Sequence, residues 1–414
     1  MLDVQKIAAF LVEQRRKLGM TQVDVANKLN VSYQAVSKWE NGTLPNVEIL
    51  AGLAQLFHVT VDEILAGRKK GAESLSYSRA GVDVAYTNAI KKEIAAYLQT
   101  DDPRVLNGLG PFASLYNLDF PEIKDPVLVL KTEEPGSKQK LAMQYGYSES
   151  ICHDMINHLV NDIAVMGAKP LAVLDCIVCS SAERETIKTL LKEISQACKE
   201  NECSLVGGET SIQPQVVEKG TYILSSSIAG IVSRRYIIDG HAIQPRDLIL
   251  GVASNGLHTN RYSLVRMLLE KMPQIKFETI HGETFLEQIM KPHTAYYKAI
   301  KQIAFNPAVH GMAHITGGGM EANLSRIIPN GLQAKIDLGK WDLLPLFKFI
   351  KEIGNIEEQE MLSTFNCGIG LAVVVEKLSA QWIRAQISEF FDCYEIGTIQ
   401  AGEPKVSFYN HIAW

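Results

Sequence analysis

Two carboxylates and a lysine stand together where a short apolar run ends: Val127-Leu128-Val129-Leu130 leads through Lys131-Thr132 into Glu133-Glu134-Pro135-Gly136-Ser137-Lys138. A run of β-branched residues and leucine that stops at an acidic, glycine-containing turn predicts a strand delivering polar groups to a pocket. Downstream, Asp154, His158 and Asp162 recur at i, i+4 and i+8 with Asn161 alongside, so a helix lines them up on one wall. Ile151, Met155, Leu159 and Ile163 supply the buried stripe of that helix. Carboxylates on a helix wall facing such a turn suit Mg²⁺ bridging to phosphate oxygens, because magnesium takes few carboxylates beside phosphate and water. A solvated acidic face is the plain alternative, since exposed helix faces are usually charged.

Elements that could hold such a site alternate from Ser76 onward. Strand patterns cover 127–130, 171–178, 204–206, 222–232, 248–252 and 368–375, with helical patterns over 184–200, 263–270 and 292–303. This predicts an α/β or α+β body, which the polar stretch from Ser233 to Gly240 could divide into two lobes. Glycine-rich turns recur at Gly108-Leu109-Gly110, Gly207-Gly208-Glu209-Thr210, Ser254 to Asn260 and Thr316-Gly317-Gly318-Gly319. Glycine lets backbone N–H groups approach phosphate closely, and several such turns beside amide or titratable side chains favour a phosphorylated ligand.

The chain of 414 residues, 46% hydrophobic, has room for two or three packed domains. A net charge of -5 argues against a protein that coats nucleic acid, and leaves room for a local DNA-reading surface. No apolar run reaches the ~18 residues of a membrane span, and the amino terminus lacks a leader pattern, so we expect a cytoplasmic protein with no membrane partner. Seven cysteines without regular spacing fit reduced thiols. Cys176 and Cys179 lack a second ligand pair and read as buried strand cysteines.

Residues 1–66 read as an all-α module. A helical pattern from Ile7 to Lys17 stops at Leu18-Gly19; Thr21 caps the next helix, and Ser32 caps Tyr33 to Glu40, which Asn41-Gly42 ends. Two short helices joined at Asn30-Val31 give the bend of a helix-turn-helix, with Gln34, Ser37 and Lys38 directed outward. Glutamine can pair with adenine and lysine with guanine or phosphate. Gly19-Met20-Thr21-Gln22, Ala26 and Val36 to Gly42 resemble the Cro/C1-type repressor domain. That resemblance implies an operator in double-stranded DNA as partner and a contact set of Gln22, Ser32, Tyr33, Gln34, Ser37, Lys38 and Asn41. Residues 67–75 read as a linker.

From residue 76 to the end, Ser76-Tyr77, Ala80-Gly81-Val82-Asp83, Gly108-Leu109-Gly110, Val160-Asn161-Asp162, Leu205 to Thr210, His258 to Arg266, Ala313 to Gly319 and Thr364 to Gly368 resemble aminoimidazole ribonucleotide (AIR) synthetase, the phosphoribosylformylglycinamidine cyclo-ligase family. The resemblance implies a two-lobed body with lobes at 76–235 and 236–414, a homodimer formed through the first lobe, and ATP with Mg²⁺ as cofactors. It implies metal ligation by Glu133, Asp162 and Glu209, and a nucleotide pocket of Lys138, Asn161, Asp162, Glu209 and Thr210. Substrate contacts would come from Gly108, Gly110, His258, Asn260, Thr316, Gly317, Gly318 and Gly319, with Lys138, Asp162 and His258 catalytic.

The match breaks at the phosphate end. Where the family has Asp-Gly-Val-Gly-Thr-Lys this chain has Glu133 to Lys138, adding a methylene, a second charge and a proline that lacks an N–H. Ser211 to Gln215 loses a further carboxylate of the family pattern, and Pro111 replaces a glycine. The expectation is therefore a transcription regulator whose body dimerises and binds a nucleotide or purine-pathway metabolite. An active cyclo-ligase carrying a DNA-binding head is the alternative, and a body that only dimerises is a third reading.

Overall fold

The computed structural model describes residues 2–69, 88–89, 100–108, 112–403 and 406–414, in two compact units, Met1–Ala80 and Gly81–Trp414. Gly110, Pro111 and the motifs at Ser76-Tyr77 and Ala80 to Asp83 lie outside the described residues.

The first unit has five helices among its described residues: α1 (Val4–Lys17), α2 (Gln22–Lys28), α3 (Tyr33–Glu40), α4 (Val47–Phe57) and α5 (Val61–Ala66). Local capping sets the ends. The Thr21 hydroxyl accepts from Asp24 N–H while Asp24 accepts from Thr21 N–H, a reciprocal box that fixes the start of α2. Ser32 accepts from Ala35 N–H at the start of α3. Ile7, Phe10, Val25, Val36, Trp39, Leu53 and Phe57 close one small core. Two parallel hydrogen bonds from Arg15 to Glu40, at 2.6 and 2.9 Å, tie α1 to α3.

In the second unit, β1 (Pro126–Glu133), β2 (Lys169–Cys179), β3 (Ser204–Ile212) and β4 (Tyr222–Ser233) form a sheet of order β1-β4-β2-β3, antiparallel except for the β2/β3 pair. After β1 come α6 (Lys138–Tyr145) and α7 (Ser148–Ala164), and α8 (Arg184–Glu200) connects β2 to β3. The expected stripe of Ile151, Met155, Leu159 and Ile163 on α7 is fully buried between this sheet and α8.

A second sheet, of order β12-β9-β11-β5-β10-β8, is built from β5 (Leu248–Ala253), β8 (Val309–His314), β9 (Leu332–Asp337), β10 (Ile369–Val375), β11 (Cys393–Ala401) and β12 (Val406–Tyr409). The short strands β6 (Thr279–Ile280) and β7 (Glu283–Thr284) pair only with each other. Every residue of β10 is buried, as an interior strand covered on both faces must be. Strands β8, β9, β11 and β12 were not anticipated, because their apolar runs are interrupted by His310, Lys335, Glu395 and Ser407.

The helix expected over 292–303 begins only at Tyr297. Its first residues are held open by side chains of α7. Asp154 accepts from His293 N–H and Asn157 donates to the His293 carbonyl; Asn161 donates to the Thr294 carbonyl and accepts from Tyr296 N–H. Ser150 donates to the Met290 carbonyl. A buried irregular segment must find partners for its peptide groups, and α7 provides them.

Candidate functional site

Lys131 and Glu133 are two residues apart on β1, so both side chains leave the same face of the strand. The Lys131 ammonium lies 3.0 Å from Glu133 and 3.0 Å from Asp162 of α7. Burial works to lower this amine, but the charges and hydrogen bonds of Asp162 and Glu133 outweigh it and hold it above its ordinary value. Burial would likewise raise the Asp162 carboxyl. The hydrogen bond from His314 Nδ1, at 2.7 Å, and the surrounding cationic groups win instead, and the carboxyl sits well below the usual carboxylate range.

Behind Asp162 four imidazoles are packed together. His158 Nε2 is 3.6 Å from Asp162 and 3.7 Å from Glu133, while its Nδ1 is 3.2 Å from the Thr259 hydroxyl. His314 Nε2 faces His293 Nε2 at 2.8 Å, and the His293 ring stacks on His258 at 3.9 Å between centroids. His258 Nε2 is 3.1 Å from the Thr294 hydroxyl. Burial, with His314 adding to it, pushes His158 down to about 4; burial holds His258 and His293 well below the ordinary imidazole value. These three rings are therefore neutral near pH 7. The cluster adjoins a cavity of about 330 Å³ lined by Lys131, Asp162, Asp239, His314, Thr316 and Arg326.

Several expected site residues are used differently. Lys138 is fully buried, 2.8 Å from an equally buried Asp154, and donates to the Lys291 carbonyl at 2.7 Å. Desolvation lowers the lysine and raises the aspartate, each opposed by the charge of the other. In this conformation its amine is committed to the interior, held by Asp154 and by the Lys291 carbonyl. Asn161, expected at the nucleotide, spends its amide on the 294–296 backbone.

Glu209 and Thr210 lie on β3, at the opposite edge of the sheet from Glu133. Three strand spacings, roughly 14 Å, separate the edges, so Glu209 does not join Glu133 and Asp162 around one ion within this chain. Gly108 is near the β3 edge too, in a loop anchored by Ser114 donating to the Val206 carbonyl at 2.6 Å. The Mg²⁺ set thus does not converge: two of its carboxylates are bridged by an ammonium and the third is elsewhere.

At the other end, His258 joins the imidazole cluster, and Asn260 approaches Gly317. In the loop from Thr316 to Gly319, Asn323 donates to the Thr316 and Gly319 carbonyls at 3.2 and 2.8 Å. Gly319 has φ +66°, and a Cβ there would stand 2.0 Å from the Leu362 carbonyl, so packing alone demands glycine. Within the helical unit, Tyr33, Gln34 and Lys38 are exposed on α3. Ser32 serves as a cap, Asn41 donates to the Ser37 carbonyl, and Gln22 donates to Glu40 at 2.7 Å, so these three have intramolecular work as well.

Lys131, His293 and His314 were missed as site residues. The period-2 pairing of Lys131 with Glu133 was a usable signal, and so was the position of His314 just before Thr316. Nothing near His293 in the sequence marks it.

Comparison with known proteins adds to this geometry. Residues 117–232 match the family model described as AIR synthase related protein, N-terminal domain; residues 244–409 match the corresponding C-terminal domain, and residues 11–64 match a helix-turn-helix model. A phosphoribosylformylglycinamidine cyclo-ligase of Methylobacillus flagellatus is 39% identical over 330 residues, covering 79% of this chain and 95% of that protein. The Bacillus cytotoxicus protein of the same name is 38% identical over 318 residues, covering 76% and 92%. Among solved structures, E. coli HypE superposes with a TM-score of 0.57 at 15% identity, covering 78% of this chain and 94% of that one. A hydrogenase maturation protein HypE in complex with ATP gives 0.55 at 14% identity, covering 79% and 91%. At those identities the structural likeness speaks for the fold alone. The sequence match speaks for ancestry: the chain belongs to the AIR synthase family of phosphoribosylformylglycinamidine cyclo-ligases and carries a Cro/C1-type helix-turn-helix domain at its amino-terminal end.

Proposed function

We propose that this protein is a DNA-binding transcription regulator whose AIR-synthase-like body dimerises and binds a nucleotide or a phosphorylated purine-pathway metabolite. The observation that carries this reading is the position of Lys131. Its ammonium fills the gap between Glu133 and Asp162 where a magnesium ion would have to stand, while Lys138 is sealed against Asp154. The phosphate-handling end has its own cation built in, which favours recognition over ATP-driven ring closure.

Dimerisation is supported by an outward-facing apolar strip on the first sheet, with Leu128, Leu130 and Leu174 about half exposed or more. A two-fold pair of helical units would then read two half-sites about one helical turn, or a multiple of it, apart. The cavity wall beside Asp162 carries Lys131 and Arg326 together with Asp162 and Asp239; Lys131 is already held by two carboxylates, so Arg326 is the cation on this wall that offers itself to a phosphorylated ligand.

Selection from a random duplex pool, followed by salt titration on the recovered sequence, tests the regulatory reading. The expected result is sequence-selective binding that falls with salt, with Lys38→Ala reducing the salt slope by about one. Only salt-sensitive background binding would remove it. The identity to cyclo-ligases over nearly their whole length favours a second reading, a working enzyme with a DNA-binding head. Turnover of formylglycinamidine ribonucleotide with ATP by purified protein would establish that reading, and no turnover under saturating conditions would dismiss it.

A further inference from the structure

The carboxy-terminal end of α8 holds a pair of thiols that neither reading uses. Glu202 N–H donates to the Lys199 carbonyl at 3.1 Å and Cys203 N–H to the Cys198 carbonyl at 3.0 Å, with Glu202 at φ +57°. These are the two bonds of a Schellman cap, which brings the side chain that follows the left-handed residue back against one in the last helical turn. Here both side chains are cysteines, and both are free. The Cys203 thiol donates to the Cys198 carbonyl at 3.4 Å and is within hydrogen-bonding reach of the Cys198 thiol. Asn201, buried inside the turn, donates to the Asn157 side chain at 2.7 Å and to the Ala197 carbonyl at 2.9 Å. The turn is thereby pinned to α7, and the two sulfurs are held together.

We propose that Cys198 and Cys203 form a reversible dithiol–disulfide site, oxidised by small disulfides of the glutathione class. Cys203 is the point of entry: it lines a cavity of about 290 Å³ with Asp102, Arg104, Tyr116, Phe120 and Lys169, whereas Cys198 is fully buried. The thiolate is the reactive form, and nearby cations favour it. Of the charges on that cavity, Asp102 is engaged by the Tyr116 hydroxyl at 2.7 Å and Glu202 by the Lys301 ammonium; Arg104 and Lys169, both over the Phe120 ring, remain to favour a thiolate. The Cys203 thiolate attacks one sulfur of the small disulfide, forming a mixed disulfide and releasing one small thiol, which takes the proton Cys203 gave up. Cys198 then gives up its proton and attacks the Cys203 sulfur, closing the protein disulfide and releasing the second small thiol. Two protein thiols are oxidised and one small disulfide is reduced to two thiols. Burial raises the Cys198 thiol well above its ordinary value, with Cys203 adding to it, so the second step draws on contact and not on a ready thiolate. A neighbour held in place has an effective concentration far above that of any dissolved thiol.

Cys176 and Cys179 are the other close pair in the sequence, and they do not suit this role: three apart on β2, they leave opposite faces of the sheet. Cys152 is fully buried and its thiol donates to the Leu190 carbonyl at 3.5 Å. The proposal uses neither DNA nor nucleotide, so its failure leaves the regulatory reading untouched.

The test is incubation of the full native chain with oxidised glutathione, followed by acid quench, alkylation and mass spectrometry. The intact chain should lose two hydrogens. After tryptic cleavage at Lys199, the peptides carrying Cys198 and Cys203 should stay joined until reductant is added, and excess reduced glutathione should reopen the bond in the native chain. Cys198→Ser should instead retain one glutathione on Cys203, because the resolving thiol is gone, and Cys203→Ser should take up none. Variants are checked by circular dichroism, and the peptide map of the parent decides the matter if a variant does not fold. A native chain that keeps all seven thiols, one that carries glutathione without closing the disulfide, or a map that joins any other pair would overturn the proposal.

Discussion

Lys138→Met is the sharpest probe of how this body is held together. Lys138 and Asp154 are both fully buried and 2.8 Å apart. Removing one member of such a pair strands the other charge in the interior, which costs about 3–5 kcal/mol, whereas an exposed pair is worth about 1 or less. Replacing both, as Lys138→Met with Asp154→Leu, should recover most of the loss, because no charge is then left in the interior. The single variant also has a signed pH dependence. Burial already raises the Asp154 carboxyl, and without the lysine it rises further. A folded-state value above the unfolded one of about 3.9 means that the folded chain holds the extra proton. The stability this contributes is full at pH values below about 4 and is lost as pH rises through the folded value, so the deficit should grow from acid towards neutral pH. Urea midpoints of parent, single and double variants across that range measure it. A single variant within about 1 kcal/mol of the parent at neutral pH would refute the reasoning, and so would a double variant no more stable than the single. That result would return Lys138 to the phosphate role its sequence position suggests.

Two further outcomes can be checked. Asp162 has its carboxyl held below the ordinary value, so the stability it contributes is present above about pH 4 and is lost as pH falls through the folded value. Asp162→Asn should cost about 1.5–3 kcal/mol at neutral pH and flatten the acid limb of the stability curve; curves that stay parallel would contradict this. In the helical unit, Glu40→Gln leaves one acceptor oxygen where there were two, so it removes the charge and one of the twin hydrogen bonds from Arg15. The thermal midpoint of that unit should drop by the equivalent of about 1.5–3 kcal/mol, and an unchanged midpoint would show that the α1–α3 tie is not needed.

What the sequence determined by itself was everything written in local chemistry. Caps at Thr21 and Ser32, the stop at Asn41-Gly42, the buried stripe of α7 and the helix over 184–200 follow from short-range hydrogen bonding and from a period that burial of one face imposes. Motifs in order along the chain also revealed its ancestry. The tertiary structure alone decided which polar groups are spent on the fold. Asp154 and Asn161 share a helix wall with His158 and Asp162, and no local rule separates them. The bond from His293 N–H to Asp154, and the pairing of Asn161 with the 294–296 backbone, depend on a segment more than a hundred residues later being laid against that wall. The same holds for Glu209, which resembles Glu133 in sequence but stands across the sheet from it, because strand order is set by how the whole sheet closes. The meeting of His158, His258, His293 and His314 is likewise long-range: each residue alone is unremarkable in the sequence, and only packing turns them into a cluster.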